Sequence, residues 1–188
     1  YMSIWFTQSV GVEVRVIDYY QNNGEGFPHY AGVLKERGYV YGTHTAPHDI
    51  KVQEMGTGRT RIETARSHGI NFKICPKLPI MDGIDACRSI FRKCWFDKTK
   101  CVDGLNGLKN YTKQFDEERK TYLDQPYHNW ASHASDAFRT FGVMQKYEYS
   151  PTKAAYVQKE FSRQVGWNAG SYVPEWLNEP ENIVRSMR

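Results

Sequence analysis

The segment SIWFTQSVGVEVRVIDYY, residues 3–20, contains the first strand pattern of the sequence. Its second half places Val12, Val14 and Val16 at every other position, and this period of two is typical of a half-buried strand. The first half is also rich in apolar residues, and a glycine at position 11 favours a tight turn between the halves. The stretch therefore predicts two strands around a turn at residues 9–11.

Helical and extended segments alternate after this hairpin. Glycines at positions 38 and 69 end two predicted helices, and Pro47 ends a strand because proline cannot donate to a central ladder. Such an order predicts an α/β fold with a mixed sheet. One predicted helix ends near residue 37, and the others cover residues 60–68, 83–93, about 99–115 and 132–143. The predicted strands lie at 39–47, 70–75 and 94–97, and a hairpin-like stretch lies at 116–130.

Composition limits the classes of function. The 188 residues are 14% aromatic, which is typical of a folded chain, and no run of 18 apolar residues predicts a membrane span. Residues 51–120 hold fifteen basic against nine acidic side chains, so a polyanion is a plausible partner. The four cysteines have no C-x-x-C spacing and are predicted to be reduced thiols rather than zinc ligands.

The chain is predicted to contain one domain and an extension. Residues 1–145 carry the regular patterns, whereas residues 146–188 are interrupted by three prolines and show one weak helical pattern near 151–162. Because the sequence opens in mid-strand without an initiator methionine, we expect it to be a fragment of a longer polypeptide.

The segment THTAPHDIK, residues 43–51, is the first candidate site. His44 and His48 have a zinc-like spacing, but Pro47 favours extended geometry before it and separates them from a common helical face. Asp49 follows a strand end, where a carboxylate suits a hard divalent cation such as magnesium. The alternative for Asp49 is a capping role in the loop.

A second carboxylate, Asp136, lies in the segment NWASHASDAFRTF. If Ser132 caps the helix, then His133, Asp136 and Arg139 recur every three residues and share one face. A carboxylate near a helix N-terminus is favoured in its ionised form, which is the form a metal needs. The alternative is a surface aspartate paired with Arg139.

A glycine-rich loop precedes the helix at 60–68. Gly56 and Gly58 are followed by Arg59 and Arg61, and amides and arginines at a helix start favour an anion. Because the full phosphate-binding loop G-x-x-x-x-G-K-[ST] is missing from the sequence, a nucleic-acid backbone is a better ligand than a nucleotide triphosphate. The alternative is a flexible turn.

Five segments in one order carry a family resemblance: PHD, GTGRTRIE, DGIDACR, CWFD and SHASDAFR. Over roughly residues 3–142 the chain resembles the C-terminal nuclease domain of tailed-bacteriophage terminase large subunits. The resemblance implies an RNase H-like fold, with a central mixed β-sheet flanked by helices on both faces. It also implies an endonuclease that cuts double-stranded DNA concatemers during viral genome packaging.

The same resemblance assigns roles to individual residues. It makes Asp49 and Asp136 ligands of two Mg²⁺ or Mn²⁺ ions and catalytic residues, with His133 beside them. The family's first catalytic aspartate would lie upstream of Tyr1. The predicted DNA contacts are Arg59, Arg61 and Lys51.

The family context also predicts partners. These are an ATPase motor domain in the same polypeptide, a small terminase subunit and the portal, acting in the host cytoplasm. Two alternatives stay open: a non-catalytic DNA-binding or motor-docking module, and another RNase H-like nuclease such as a junction resolvase.

Overall fold

The computed structural model describes residues 1–54 and 58–148. Five α-helices and seven strands lie in this part of the chain. Their order is β1 Met2–Val10, β2 Glu13–Asn22, α1 Phe27–Arg37, β3 His44–Ala46, a short 3₁₀ helix His48–Lys51, α2 Arg61–Ser67, β4 Phe72–Ile74, α3 Ile80–Phe91, β5 Cys94–Phe96, α4 Val102–Lys109, β6 Lys113–Asp116, β7 Thr121–Pro126 and α5 Trp130–Glu148.

The strands confirm the predicted α/β class, but they are divided among three small sheets. The largest has the order β1–β2–β5 and is mixed, because β1 and β2 are antiparallel whereas β2 and β5 are parallel. Strands β3 and β4 form a parallel pair, and β6 and β7 form an antiparallel hairpin. A single central sheet, as the family resemblance predicts, is not formed by the described residues.

The β1–β2 hairpin contains one extra residue. Phe6 pairs with Asp18 and Thr7 pairs with Val16, so Ile17 has no partner in β1. This bulge changes which side of the strand later residues face. Val16 consequently packs in the core below the sheet, whereas Asp18 is buried on the opposite side.

The main core lies between the β1–β2–β5 sheet and helices α3, α4 and α5. Phe138 of α5 is fully buried at its centre, stacked on Phe91 of α3 with ring centroids 5.1 Å apart. Trp5 of β1 and Phe96 of β5 contact the same ring from the sheet, at 5.4 and 5.7 Å. Burial of these aromatic groups supplies much of the stabilisation of the domain.

Small residues allow α5 to approach its neighbours closely. A Cβ atom at Gly107 of α4 would lie 2.7 Å from the Cβ of Ala134, and one at Gly142 of α5 would lie 2.6 Å from the Sγ of Cys87. Both distances are far below an ordinary carbon contact, so neither glycine can be enlarged without movement of the helices. The position of α5, and of every side chain on it, is therefore tightly defined.

Helix boundaries follow local signals in several places. Helix α1 ends at Gly38, as predicted, and this glycine has a left-handed φ of 65°. Helix α2 begins after Thr60, close to the predicted start, and Thr60 forms a complete capping box with Glu63 that was not predicted. The start of α5 differs from the prediction. Asn129, not Ser132, caps it, because the Asn129 Oδ1 accepts from the Ala131 amide at 2.9 Å.

The helix predicted over 99–115 is wrong in its last third. Helix α4 ends at Lys109. Lys113–Asp116 instead form β6, which pairs with β7 in a hairpin whose turn is made of charged residues. The pairing of these two strands depends on contacts between segments, and the hydrophobic periodicity of one segment does not predict it. The hairpin-like character predicted further along is confirmed by β7.

Other predicted features lie outside the described residues: Gly56, the helix near 151–162, and the rest of the extension after Glu148. Within the described ranges, no helix is both long and apolar enough to cross a membrane. The four cysteines are free thiols, and burial raises the pKa of Cys87 to about 12.

Candidate active site

Asp136 lies in the second turn of α5 and is held by two neighbours. Arg139 Nη1 lies 3.0 Å from Asp136 Oδ1 in an ion pair, and the Tyr111 hydroxyl donates a hydrogen bond to the same oxygen at 3.4 Å. The Asp136 side chain is 42% exposed. Burial and the charge of Asp136 raise the pKa of Tyr111 to about 12, so its hydroxyl remains a donor at neutral pH. The result is an ordered carboxylate at the protein surface.

His133 faces the first residue of the chain. Its ring stacks on Tyr1 with centroids 4.3 Å apart, and His128 lies 6.0 Å away at a right angle. Burial, assisted by the nearby His128, lowers the pKa of His133, while Asp136 acts in the opposite direction. The imidazole is therefore neutral at pH 7 and can accept or donate one proton in a hydrogen bond.

Asp49 lies in the short 3₁₀ helix that follows β3. Pro47 ends the strand in an extended conformation, and the Asp49 carbonyl accepts from the Val52 amide at 3.0 Å. The Asp49 side chain is exposed. Strand β3 packs against α5, so the segment that leads to Asp49 is brought against the helix that carries Asp136.

The two histidines near Asp49 do not form one helical face. His44 is half-buried in β3, where its ring packs against Tyr41 at 5.4 Å and Phe72 at 6.0 Å. Burial lowers the pKa of His44, as for a neutral packing residue. His48 is exposed in the 3₁₀ helix. The prediction that Pro47 keeps these two histidines off a common helical face is confirmed.

The three cations predicted to contact DNA lie around the same segment. Helix α2 packs on the 3₁₀ helix, and the Arg61 amide donates to the Val52 carbonyl at 3.3 Å. Lys51 is exposed at the end of the 3₁₀ helix, and Arg61 is 3.7 Å from Glu54. Arg59 is exposed and adds positive charge beside α2. The structure thus groups these cations near Asp49, although Glu54 offsets part of the charge of Arg61.

The carboxylates of Asp49 and Asp136 are ligands of the type that a hard divalent cation prefers. Asp49 and Asp136 offer carboxylate oxygens, and no described residue donates a hydrogen bond to Oδ2 of Asp136. Magnesium is held by one or two carboxylates and completes its shell with water and substrate phosphate. No group of three or more histidine, cysteine, aspartate or glutamate side chains is placed to hold a metal among the residues that the structure describes.

Sequence reasoning missed two features of this site. Tyr111, which contacts Asp136, lay inside a predicted helix and was not recognised. The Arg139 side chain packs on the backbone of Gly83, which is far from it in sequence. The Asp136–Arg139 ion pair, which the i, i+3 spacing offered as the alternative to a metal-binding role, is present in the structure.

The described fold is similar to that of one solved nuclease domain. It resembles the crystal structure of the g2p (large terminase) nuclease domain from the bacteriophage SPP1 with bound Mn, with a TM-score of 0.52. The sequences are 15% identical, and the similarity covers 76% of this chain and 75% of that one. At this identity the likeness establishes a shared fold. No protein-family model and no curated protein sequence matches the chain.

Proposed function

We propose that this chain is a metal-dependent endonuclease that hydrolyses double-stranded DNA concatemers during viral genome packaging. The observation that carries the proposal is the ordered Asp136 carboxylate on α5, in a fold shared with a terminase nuclease domain whose structure holds Mn. We also propose that the β1–β2–β5 sheet and the β3–β4 pair together correspond to the sheet of an RNase H-like fold.

In this proposal Asp49 and Asp136 hold the metal, and His133 orients a water or a ligand beside them. Two divalent cations, when bound, would supply Lewis-acid activation of water and stabilisation of the leaving oxygen. The chain's own contribution is to fix the carboxylates. Tyr111 and Arg139 determine the orientation of Asp136, and the neutral His133 imidazole offers one hydrogen-bond donor and one acceptor.

Binding of the duplex is assigned to Lys51, Arg59 and Arg61. Their position beside the Asp49 segment would direct the phosphate backbone toward the carboxylates. Backbone contacts of this kind set position without reading sequence. Replacement of Lys51 by alanine should weaken DNA binding and reduce the slope of log K against log salt by about one.

The nuclease assignment is tested by nicking of supercoiled plasmid in Mn²⁺. We expect the wild-type chain to nick, and Asp136→Asn and Asp49→Asn to abolish nicking. Asp85→Asn is the matched control, since Asp85 also pairs with an arginine three residues on, at 2.9 Å, but on an exposed face of α3. Equal nicking by wild type and Asp136→Asn would falsify the assignment.

A non-catalytic DNA-binding module is the second candidate, and the cation group near Asp49 favours it independently of the metal. Salt-sensitive DNA binding that is unchanged by Asp136→Asn, without nicking by either protein, would support this candidate. Preference for four-way junctions over linear duplex would instead support a resolvase-like nuclease.

The remaining assignments follow the viral packaging role. We propose an ATPase motor domain in the same polypeptide, a small terminase subunit and the portal as partners in the host cytoplasm. Either Mg²⁺ or Mn²⁺ would serve as the cofactor. Co-purification of the chain with the small subunit and the portal would test these partners directly.

A further inference from the structure

One oxygen of Asp136 is already occupied by a positive charge from the protein. The Arg139 guanidinium is 3.0 Å from Oδ1, and the Tyr111 hydroxyl lies on the same oxygen at 3.4 Å. Guanidinium is protonated at every accessible pH. A divalent cation on this carboxylate would therefore share it with a fixed cation.

The side chain of Arg139 is held by close packing as well as by its ion pair. A Cβ at Gly83 of α3 would lie 2.6 Å from Arg139 Cδ and 2.7 Å from Cγ, so the aliphatic stem lies directly on the Gly83 backbone. Only 25% of the Arg139 side chain is exposed. Because the side chain is ordered by this seat, forming the ion pair costs less conformational entropy than it does at an open surface.

A second pair in the chain shows the contrast. Arg88 and Asp85 of α3 also lie three residues apart and meet at 2.9 Å, but their side chains are 64% and 60% exposed. Such a pair contributes little, because both side chains are solvated and mobile. The Arg88–Asp85 pair therefore serves as an internal reference for the Arg139–Asp136 pair.

We propose that Arg139, seated on Gly83, is a resident counter-cation that keeps Asp136 ordered and weakens the binding of divalent metal there. This inference rests on the proposed metal-binding function of Asp136. Electrostatic repulsion between the guanidinium and an incoming cation opposes metal binding when DNA is not bound. Phosphate oxygens of bound DNA would add ligands and offset this repulsion, so that metal binds more strongly in the presence of substrate.

The test is a titration of DNA-free protein with Mn²⁺, with free Mn²⁺ measured by electron paramagnetic resonance. Arg139→Met keeps an unbranched stem over Gly83 but removes the charge. We expect this variant to bind Mn²⁺ about five- to tenfold more tightly than wild type, at the lower end of couplings between two binding events. Arg88→Met should leave the affinity unchanged, and Asp136→Asn should lose the binding.

Gly83→Ala provides a second variant that leaves the arginine in place. The added methyl group occupies the seat and displaces the stem of Arg139, so Mn²⁺ affinity should again rise. Far-UV circular dichroism and thermal unfolding show whether each of the two variants is folded, and the Mn²⁺ affinity is compared only for variants that are.

The two proposals fail in different ways. Unchanged or weaker Mn²⁺ binding in folded Arg139→Met, with binding lost in Asp136→Asn, overturns the counter-cation role and leaves the metal site intact. Mn²⁺ binding that survives Asp136→Asn overturns the metal site itself, and the counter-cation role with it.

Discussion

The indole Nε1 of Trp5 donates a hydrogen bond to the backbone carbonyl of Ala134 at 2.9 Å, and so joins β1 directly to α5. The same ring packs on Tyr19 and Phe138, at 4.4 and 5.4 Å. Ala134 lies two residues before Asp136, so this contact fixes the turn of helix that presents the candidate metal ligand.

Substitution of Trp5 should destabilise the domain through both contacts. Trp5→Phe removes the donor and part of the ring, and we expect a loss of about 1–2 kcal/mol in the free energy of unfolding. Trp5→Ala leaves a cavity between sheet and helix and should cost about 3–5 kcal/mol. Urea denaturation gives both values. Trp95, which is 63% exposed on β5, is the control, and Trp95→Phe should change stability by less than about 0.5 kcal/mol.

The buried carboxylate of Asp18 should be essential to the packing of α1. It accepts hydrogen bonds from the Arg37 guanidinium, from the Tyr39 hydroxyl at 3.1 Å and from the Tyr19 amide at 2.8 Å. Asp18→Asn removes the charge that balances Arg37. Because Arg37 is still about one-third exposed, we expect a cost near the lower end for a broken buried pair, about 3 kcal/mol.

Chemical denaturation measures this effect, and Asp85→Asn on the exposed face of α3 is the matched control. Loss of the Asp85 charge should change the free energy of unfolding by less than about 0.5 kcal/mol. An Asp18→Asn protein as stable as the control would contradict a stabilising role for the buried pair.

Two helical glycines should respond to alanine in opposite directions. A Cβ at Gly107 would lie 2.7 Å from the Ala134 Cβ, so Gly107→Ala should force α4 from α5 and destabilise by about 1–3 kcal/mol. A Cβ at Gly32 of α1 would meet no atom within 4 Å, so Gly32→Ala should stabilise by about 0.5–1 kcal/mol. Thermal unfolding of the two variants separates steric contact from helix propensity, and a stabilised Gly107→Ala protein would rule out the close approach.

Stability should fall on mild acidification because of His44. Burial places its pKa in the folded state below the usual 6.5, so the unfolded chain binds a proton more readily. The contribution of His44 is thus present above about pH 6.5 and is lost as the pH falls below it, with a slope of at most about 1.4 kcal/mol per pH unit.

Urea unfolding at pH 7.5 and 5.5 tests the His44 effect. His44→Gln should show a smaller difference between the two pH values than wild type does. His48→Gln, at an exposed position on the neighbouring turn, should keep the wild-type difference. Identical pH dependence in His44→Gln and wild type would exclude His44 as the source.

Local signals in the sequence predicted the ends of several elements. Gly38 ends α1 and Thr60 begins α2, because a left-handed residue and a capping side chain act through near neighbours. Tertiary features were not predictable in this way. The seating of Arg139 on Gly83 and the pairing of β6 with β7 depend on contacts between separate segments.

The candidate site was predictable to a similar extent. Asp136 and Arg139 were predicted to share a helix face, and they form an ion pair. Tyr111 was not predicted as a partner, because its approach to Asp136 is created by the packing of the chain before β6 against α5. The assignment of Asp49 and Asp136 to one metal site stays a prediction.

The unpaired Ile17 makes the β1–β2 hairpin more sensitive to residue count than to residue type. Deleting Ile17 would restore unbroken alternation and leave Val16 and Asp18 on their present sides. Deleting Tyr19 has no such outcome, because either Asp18 or Tyr20 would then pair with Trp5 and turn toward the core. Loss of one amino acid is therefore compatible with the strand pairing at Ile17 and disrupts it two residues later.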